Sequence, residues 1–114
     1  MALSTNTQSV AAGIVNIASG KVDTDAGAAA VTVFTIGFIP RIVRWHNLTD
    51  RTSYEWFEGM TNPGALKTVA AGTRTLETTE GITVGTAAAG TAGTFSIPTT
   101  IILASKSFAW EAIG

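Results

Sequence analysis

The stretch Gly37–Met60, GFIPRIVRWHNLTDRTSYEWFEGM, decides how this chain folds. Two runs within it, Arg41–Leu48 and Ser53–Phe57, are rich in aromatic and β-branched residues. They flank the polar turn Thr49-Asp50-Arg51-Thr52, which is the pattern of a β-hairpin. Gly37 and Pro40 punctuate its start, and Gly59, Asn62, Pro63 and Gly64 close it. The stretch holds two of the three tryptophans, the only tyrosine and the only histidine. Strand alternation sets Val43, Trp45 and Asn47 against Ile42, Arg44 and His46, and Tyr54 and Trp56 against Ser53, Glu55 and Phe57. If Val43, Trp45, Tyr54 and Trp56 form the inner face, Arg44 and Glu55 share the outer one. There they pair across the strands for a few tenths of a kcal/mol. Aromatic burial and charge pairing therefore specify one register.

Working outward, Val31-Thr32-Val33-Phe34-Thr35-Ile36 reads as a strand that is largely apolar on both faces. Before it, Ile14–Ala18 reads as a first strand and Ser19–Ala30 as a loop. Asp23-Thr24-Asp25-Ala26-Gly27 has the opening spacing of a calcium loop, but Phe34 stands where the bidentate Glu belongs, so an Asx-rich turn is the better reading. After the hairpin, Ala65–Gly72 fits a short helix or a strand, and the pattern leaves both open. Arg74–Thr78 and Gly81–Val84 read as two strand pieces split at Thr79-Glu80-Gly81. Gly85–Gly93 is low in complexity, and its glycines oppose a helix. Thr94–Ile97, Thr100–Ala104 and Ser107–Ala112 complete the strands, with Phe108 and Trp110 sharing one face. Seven or eight short strands with Gly/Pro turns predict an all-β chain, a single-domain antiparallel β-sandwich or jelly-roll-like barrel over residues 9–114. Residues 1–8 carry no pattern and read as a flexible N-terminal arm.

Composition narrows the function. Of 114 residues, 13% are charged and 46% hydrophobic, against a usual charged share of about 25%. A surface covered by Ala, Gly and Thr suits burial against other subunits better than free exposure to water. The net charge of −1 argues against a nucleic-acid partner, which would require a clustered basic face. The longest apolar runs fall far short of the ~20 residues that cross a bilayer, so no membrane partner is expected. Without cysteine there is no disulfide or thiolate site. The start of the chain lacks the basic and apolar runs of a signal peptide, which makes the cytosol the default compartment.

Catalysis finds little to use. His46 is alone, no paired metal-ligand spacing occurs, and Glu55 and Glu58 fall on opposite faces of a regular strand. No enzymatic activity, cofactor or metal is expected. The aromatic residues Trp45, Tyr54, Trp56 and Trp110, with Arg44 and Glu55, are the candidates for structural or interaction roles. Trp45, Tyr54 and Trp56 fit a sugar-stacking platform or, as the stronger reading, the core.

The order Gly37-Phe38-x-Pro40, then Asn47-Leu48-Thr49-Asp50 and Tyr54-Glu55-Trp56-Phe57-Glu58-Gly59-Met60, resembles small virion structural proteins of tailed bacteriophages, of the head-decoration or cement type. Gly81-Ile82-Thr83 and Phe108-Ala109-Trp110 echo the same pattern weakly. The resemblance implies a β-rich, non-catalytic subunit that binds the major capsid protein or other virion proteins, often as a trimer. It implies a place in the virion, after assembly in the host cytoplasm. A tail or head-fibre component is the alternative within virions, and a carbohydrate-binding β-sandwich module the alternative outside them.

Overall fold

A computed structural model describes residues 16–114. They form one antiparallel sheet of eight strands: β1 (Ile17–Asp23), β2 (Thr32–Thr35), β3 (Ile42–Asn47), β4 (Thr52–Phe57), β5 (Gly64–Thr68), β6 (Arg74–Val84), β7 (Thr94–Ile97) and β8 (Ser107–Ile113). The spatial order is β1-β8-β3-β4-β5-β6-β7-β2. The sheet curls into a half-barrel, a fold of the sandwich-or-barrel class.

The hairpin is β3–β4, and its register is the expected one: Val43 faces Trp56, Arg44 faces Glu55, and Trp45 faces Tyr54. Val43, Trp45, Tyr54 and Trp56 all lie in the core. Asn47 organises the turn, because its buried side-chain oxygen accepts from the Thr49 and Asp50 amides at 3.0 and 2.9 Å. An Asn oxygen in that position substitutes for a backbone acceptor and fixes the turn before the chain reverses. Arg51 completes the reversal with a left-handed φ of 56°.

β6 is the corner of the sheet. Its first part pairs with β5 through Ala65↔Glu77, and its end pairs with β7 through Val84↔Phe95. Between them the β5 register jumps, so that Gly64 meets Ile82. Gly81 sits in this bulge at φ 140°, and a Cβ there would lie 2.5 Å from the Gly64 carbonyl. Only glycine allows so close a backbone approach. The break expected at residues 79–81 is therefore a bend within one strand, not a gap between two.

Two further expectations need correction, and one open choice is resolved. Residues 19–23 belong to β1, not to a loop, because β8 offers them a full antiparallel ladder from Ile17↔Ile113 to Asp23↔Ser107. Of the strand expected at Ile14–Ala18, Ile14 and Val15 lie outside the described residues. Residues 65–68 are strand, since β4 and β6 flank them on both sides. Thr100–Ala104 is not a strand. Ile101 and Ile102 are both buried, which strand alternation forbids, and their amides turn back onto the Pro98 carbonyl at 3.0 and 2.9 Å. This β7–β8 connection is held at β1 by Thr24, whose hydroxyl donates to the Leu103 carbonyl at 2.6 Å and accepts from the Lys106 amide at 2.9 Å. Asp25 forms the expected Asx turn, accepting from the Gly27 amide at 2.8 Å.

Curling brings β2, the last strand in the order, back over β3 and β8. Phe34 on β2 packs against Trp45 and Trp110 with ring centroids 5.5 Å from each, and stacks on Phe95 at 5.0 Å. Trp45 also meets Phe108 at 5.1 Å. Each such pair contributes about 0.5–1.5 kcal/mol beyond its burial.

Trp56 is 6% exposed, and its indole N–H donates to the Thr61 carbonyl at 3.0 Å. Trp56→Ala should cost roughly 3–5 kcal/mol through lost contacts and a cavity. That is a large part of the ~5–15 kcal/mol that holds a domain together. A fall in denaturant midpoint with an unchanged m-value is the expected result; a midpoint near wild type would contradict this packing.

Candidate functional site

The residues singled out in the sequence fall on opposite faces of the hairpin. Trp45, Tyr54 and Trp56 point inward and are buried, so they do not form a stacking platform on the surface. Trp110 is half-buried on the same inner face, its indole lying over Gly20 of β1. A Cβ at Gly20 would sit 2.7 Å from Trp110 Nε1, which explains a glycine in mid-strand. Trp45 Nε1 is buried without a hydrogen-bond partner among the described residues.

Arg44 and Glu55 stand on the outer face and are joined by Glu111 of β8. Arg44 Nη1 donates to Glu111 at 2.8 Å, and Arg44 Nε donates to Glu55 at 3.3 Å. The Glu111 hydrogen bond is the main cause that raises the Arg44 pKa above its ordinary value. One guanidinium thus ties three adjacent strands. Glu111 was not apparent as its partner, because the β3–β8 neighbourhood is long-range. One row along the same face, Ile17, Ile113, Ile42 and Phe57 stand side by side across four strands.

The distribution of charge is uneven. No Asp, Glu, Lys or Arg lies between Asp25 and Arg41, nor between Glu80 and Lys106. Those two segments contain β2, β7 and the end of β6. That end of the sheet is therefore charge-free, while strands β1, β8, β3, β4, β5 and the first part of β6 carry every strand charge. β2 is a terminal strand, and Val31 and Val33 point outward from it at 62% and 61% exposure. Native edge strands are commonly guarded by charge, proline or a bulge. β1, at the other end of the order, carries Lys21 and Asp23, which pair at 3.4 Å. Among the described residues β2 has no such guard.

Among the described residues no group of three or more His, Cys, Asp or Glu is placed to hold a metal ion. No helix among them is long and apolar enough to cross a membrane. His46 lies half-buried on the outer face, opposite Ser53. No family model, curated protein or solved structure matches the chain.

Two aspartates are held below their ordinary pKa by their neighbours. The Ser107 hydroxyl, assisted by Lys21, holds Asp23 below its ordinary pKa, and Lys106, with Asn47, does the same for Asp50. A carboxylate whose pKa is depressed by folding contributes stability above its unfolded value of about 3.9 and loses it as pH falls through the folded value. Thermal stability should therefore decline as pH drops below about 4, and Asp50→Asn should flatten that decline. An acid limb unchanged in the variant would show that Asp50 is not one of its causes.

Proposed function

We propose that this chain is a virion structural protein of a tailed phage, a capsid decoration or cement subunit that binds its own copies and the head lattice. The observation that carries the reading is the charge-free end of the sheet, with Val31 and Val33 facing outward from an edge that no charge, proline or bulge guards among the described residues. Apolar surface rimmed by polar residues marks a contact site, and an unpaired strand edge offers a ready row of backbone donors and acceptors. The resemblance carried by Gly37–Met60 supplies the kind of assembly, with a trimer as its implied order. The residues that carry this resemblance build the central hairpin and its closing turn. A carbohydrate module that stacks sugars on Trp45, Tyr54 and Trp56 is the weaker reading, because those rings are engaged in the core.

Val33→Lys tests the contact. At an exposed position the fold should lose no more than about 0.5 kcal/mol. Light scattering of the wild-type chain should give a multiple of 11.7 kDa, and the lysine variant should shift toward that single-chain mass. A wild-type chain monomeric at micromolar concentration would sink the self-association.

The arm, residues 1–8, lies outside the described residues. Its polar sequence gains little from packing on its own domain, whereas a neighbour's backbone could offset the ordering cost of about 1–2 kcal/mol per residue. Deleting Ala2–Gln8 should leave the melting temperature nearly unchanged and weaken attachment to capsids stripped of this subunit. Equal occupancy by both forms at every concentration, or a truncated chain that no longer folds, would remove the arm from the attachment.

A further inference from the structure

We infer that the cleft between β4, β5, β6 and the β7–β8 connection is a binding site for a hydroxyl-rich ligand, a polyol or the edge of a sugar ring. Tyr54, Lys67, Glu77, Glu80 and Thr100 line it, with Gly81 and Ile101 as its apolar wall. Its volume is about 100 Å³, room for a pair of hydroxyls with their carbons while the rest of a ring stays outside.

Tyr54 is the first indication of a ligand. The residue is only 8% exposed, yet its hydroxyl has no hydrogen-bond partner among the described residues. The ring is buried but the hydroxyl itself reaches the cleft, because Trp45 Nε1 is the one buried side-chain polar atom without a partner among the described residues; water satisfies it in the free protein, and a ligand can take that water's place. The second indication is that Lys67, Glu77 and Glu80 line one cleft without any ion pair joining them. Lys67 instead holds its ammonium 5.8 Å from the centroid of the Tyr54 ring.

The charges select the ligand class. A cation would satisfy the two carboxylates but face Lys67. An anion would satisfy Lys67 but face both carboxylates. A neutral diol donates to a carboxylate while accepting from the ammonium and the Tyr54 hydroxyl, so each polar group exchanges one water for one ligand bond. Because Lys67 covers the ring face, the ligand enters edge-on and does not stack. This site differs from a platform of stacked rings, and it stands or falls independently of the virion reading.

The test is a titration of the full chain, followed by amide chemical shifts, with glycerol, methyl α-glucoside, methyl α-galactoside and dextran. Methylguanidinium and acetate serve as charged controls. Saturable shifts at Tyr54, Lys67, Glu77 and Thr100 are expected with a glycoside, at a dissociation constant on the order of millimolar. A similar response to dextran would support the same site with a polymeric source. Tyr54→Phe keeps the ring in the core and removes the unpartnered hydroxyl, so it should melt near wild type yet weaken binding about three- to tenfold. Glu77→Gln should weaken it by a similar factor. No saturable shift with any neutral probe, a response unchanged in both variants, or tighter binding of either charged control would overturn the assignment.

Discussion

The described residues form a single sheet with no helix among them to cover it, and such a sheet can bury its inner face only by curling onto itself. Every other feature of this molecule follows from that requirement. The curl must bring the last strand of the order over the strands near the other end, and Phe34 is the residue that makes the closure. From β2 it reaches Trp45 on β3 and Trp110 on β8 while stacking on Phe95 beside it. Its position explains why the largest side chains of β3, β7 and β8 all point to one side. The remaining gap is filled by chain that is not strand at all. Ile101 and Ile102 drop into the interior as consecutive residues, and Thr24 secures the connection that carries them.

The curl needs a hinge, and β6 supplies it. A flat strand of eleven residues could pair with β5 or with β7 along its length, but not turn from one to the other. The bulge before Ile82 lets one continuous strand serve both, with Gly81 and Gly64 in backbone contact where side chains would force the strands apart. Asn62 reinforces the bend, because its amide group accepts from the Val84 N–H at 2.9 Å and donates to the Val84 carbonyl at 2.7 Å. One side chain thereby satisfies both backbone groups of a strand residue, as a neighbouring strand would.

What could be read in the sequence was what depended on near neighbours. The β3–β4 register was legible because Trp45, Tyr54 and Trp56 alternate with Arg44 and Glu55 within the continuous stretch Arg44–Trp56. β7 and β8 were legible for the same reason. What depended on partners far along the chain was not. Ser19-Gly20-Lys21 has the composition of a loop, and becomes strand because β8 accepts it and Trp110 needs the space that Gly20 leaves. Thr100–Ala104 has strand propensity, and becomes a plug because the half-barrel must be filled. Lys67 and Glu77 could not be joined into one cleft, since Ala65–Gly72 had no decisive period and the β5–β6 bulge sets their approach. Placement in the core followed for Trp45, Tyr54 and Trp56, whereas Glu111 as the second partner of Arg44 required the β8–β3 pairing.

The same curl separates the two ends of the sheet chemically. At the β1–β8–β3–β4 end, the inner face buries its own aromatic rings, and the outer face carries paired charges. Arg44 with Glu55 and Glu111, and Lys21 with Asp23, are exposed or half-exposed pairs worth at most about 1 kcal/mol each. Their greater effect is on what the surface refuses, because a charged row cannot be covered by a neighbour without being dehydrated. At the β7–β2 end no such refusal exists. Ser96 and Val33 are register partners there, and neither they nor their neighbours on the two strands carry charge. Covering that face costs little desolvation, and among the described strands β2 is the last in the order. Among the described residues the scarcity of charge is therefore greatest at this end of the sheet.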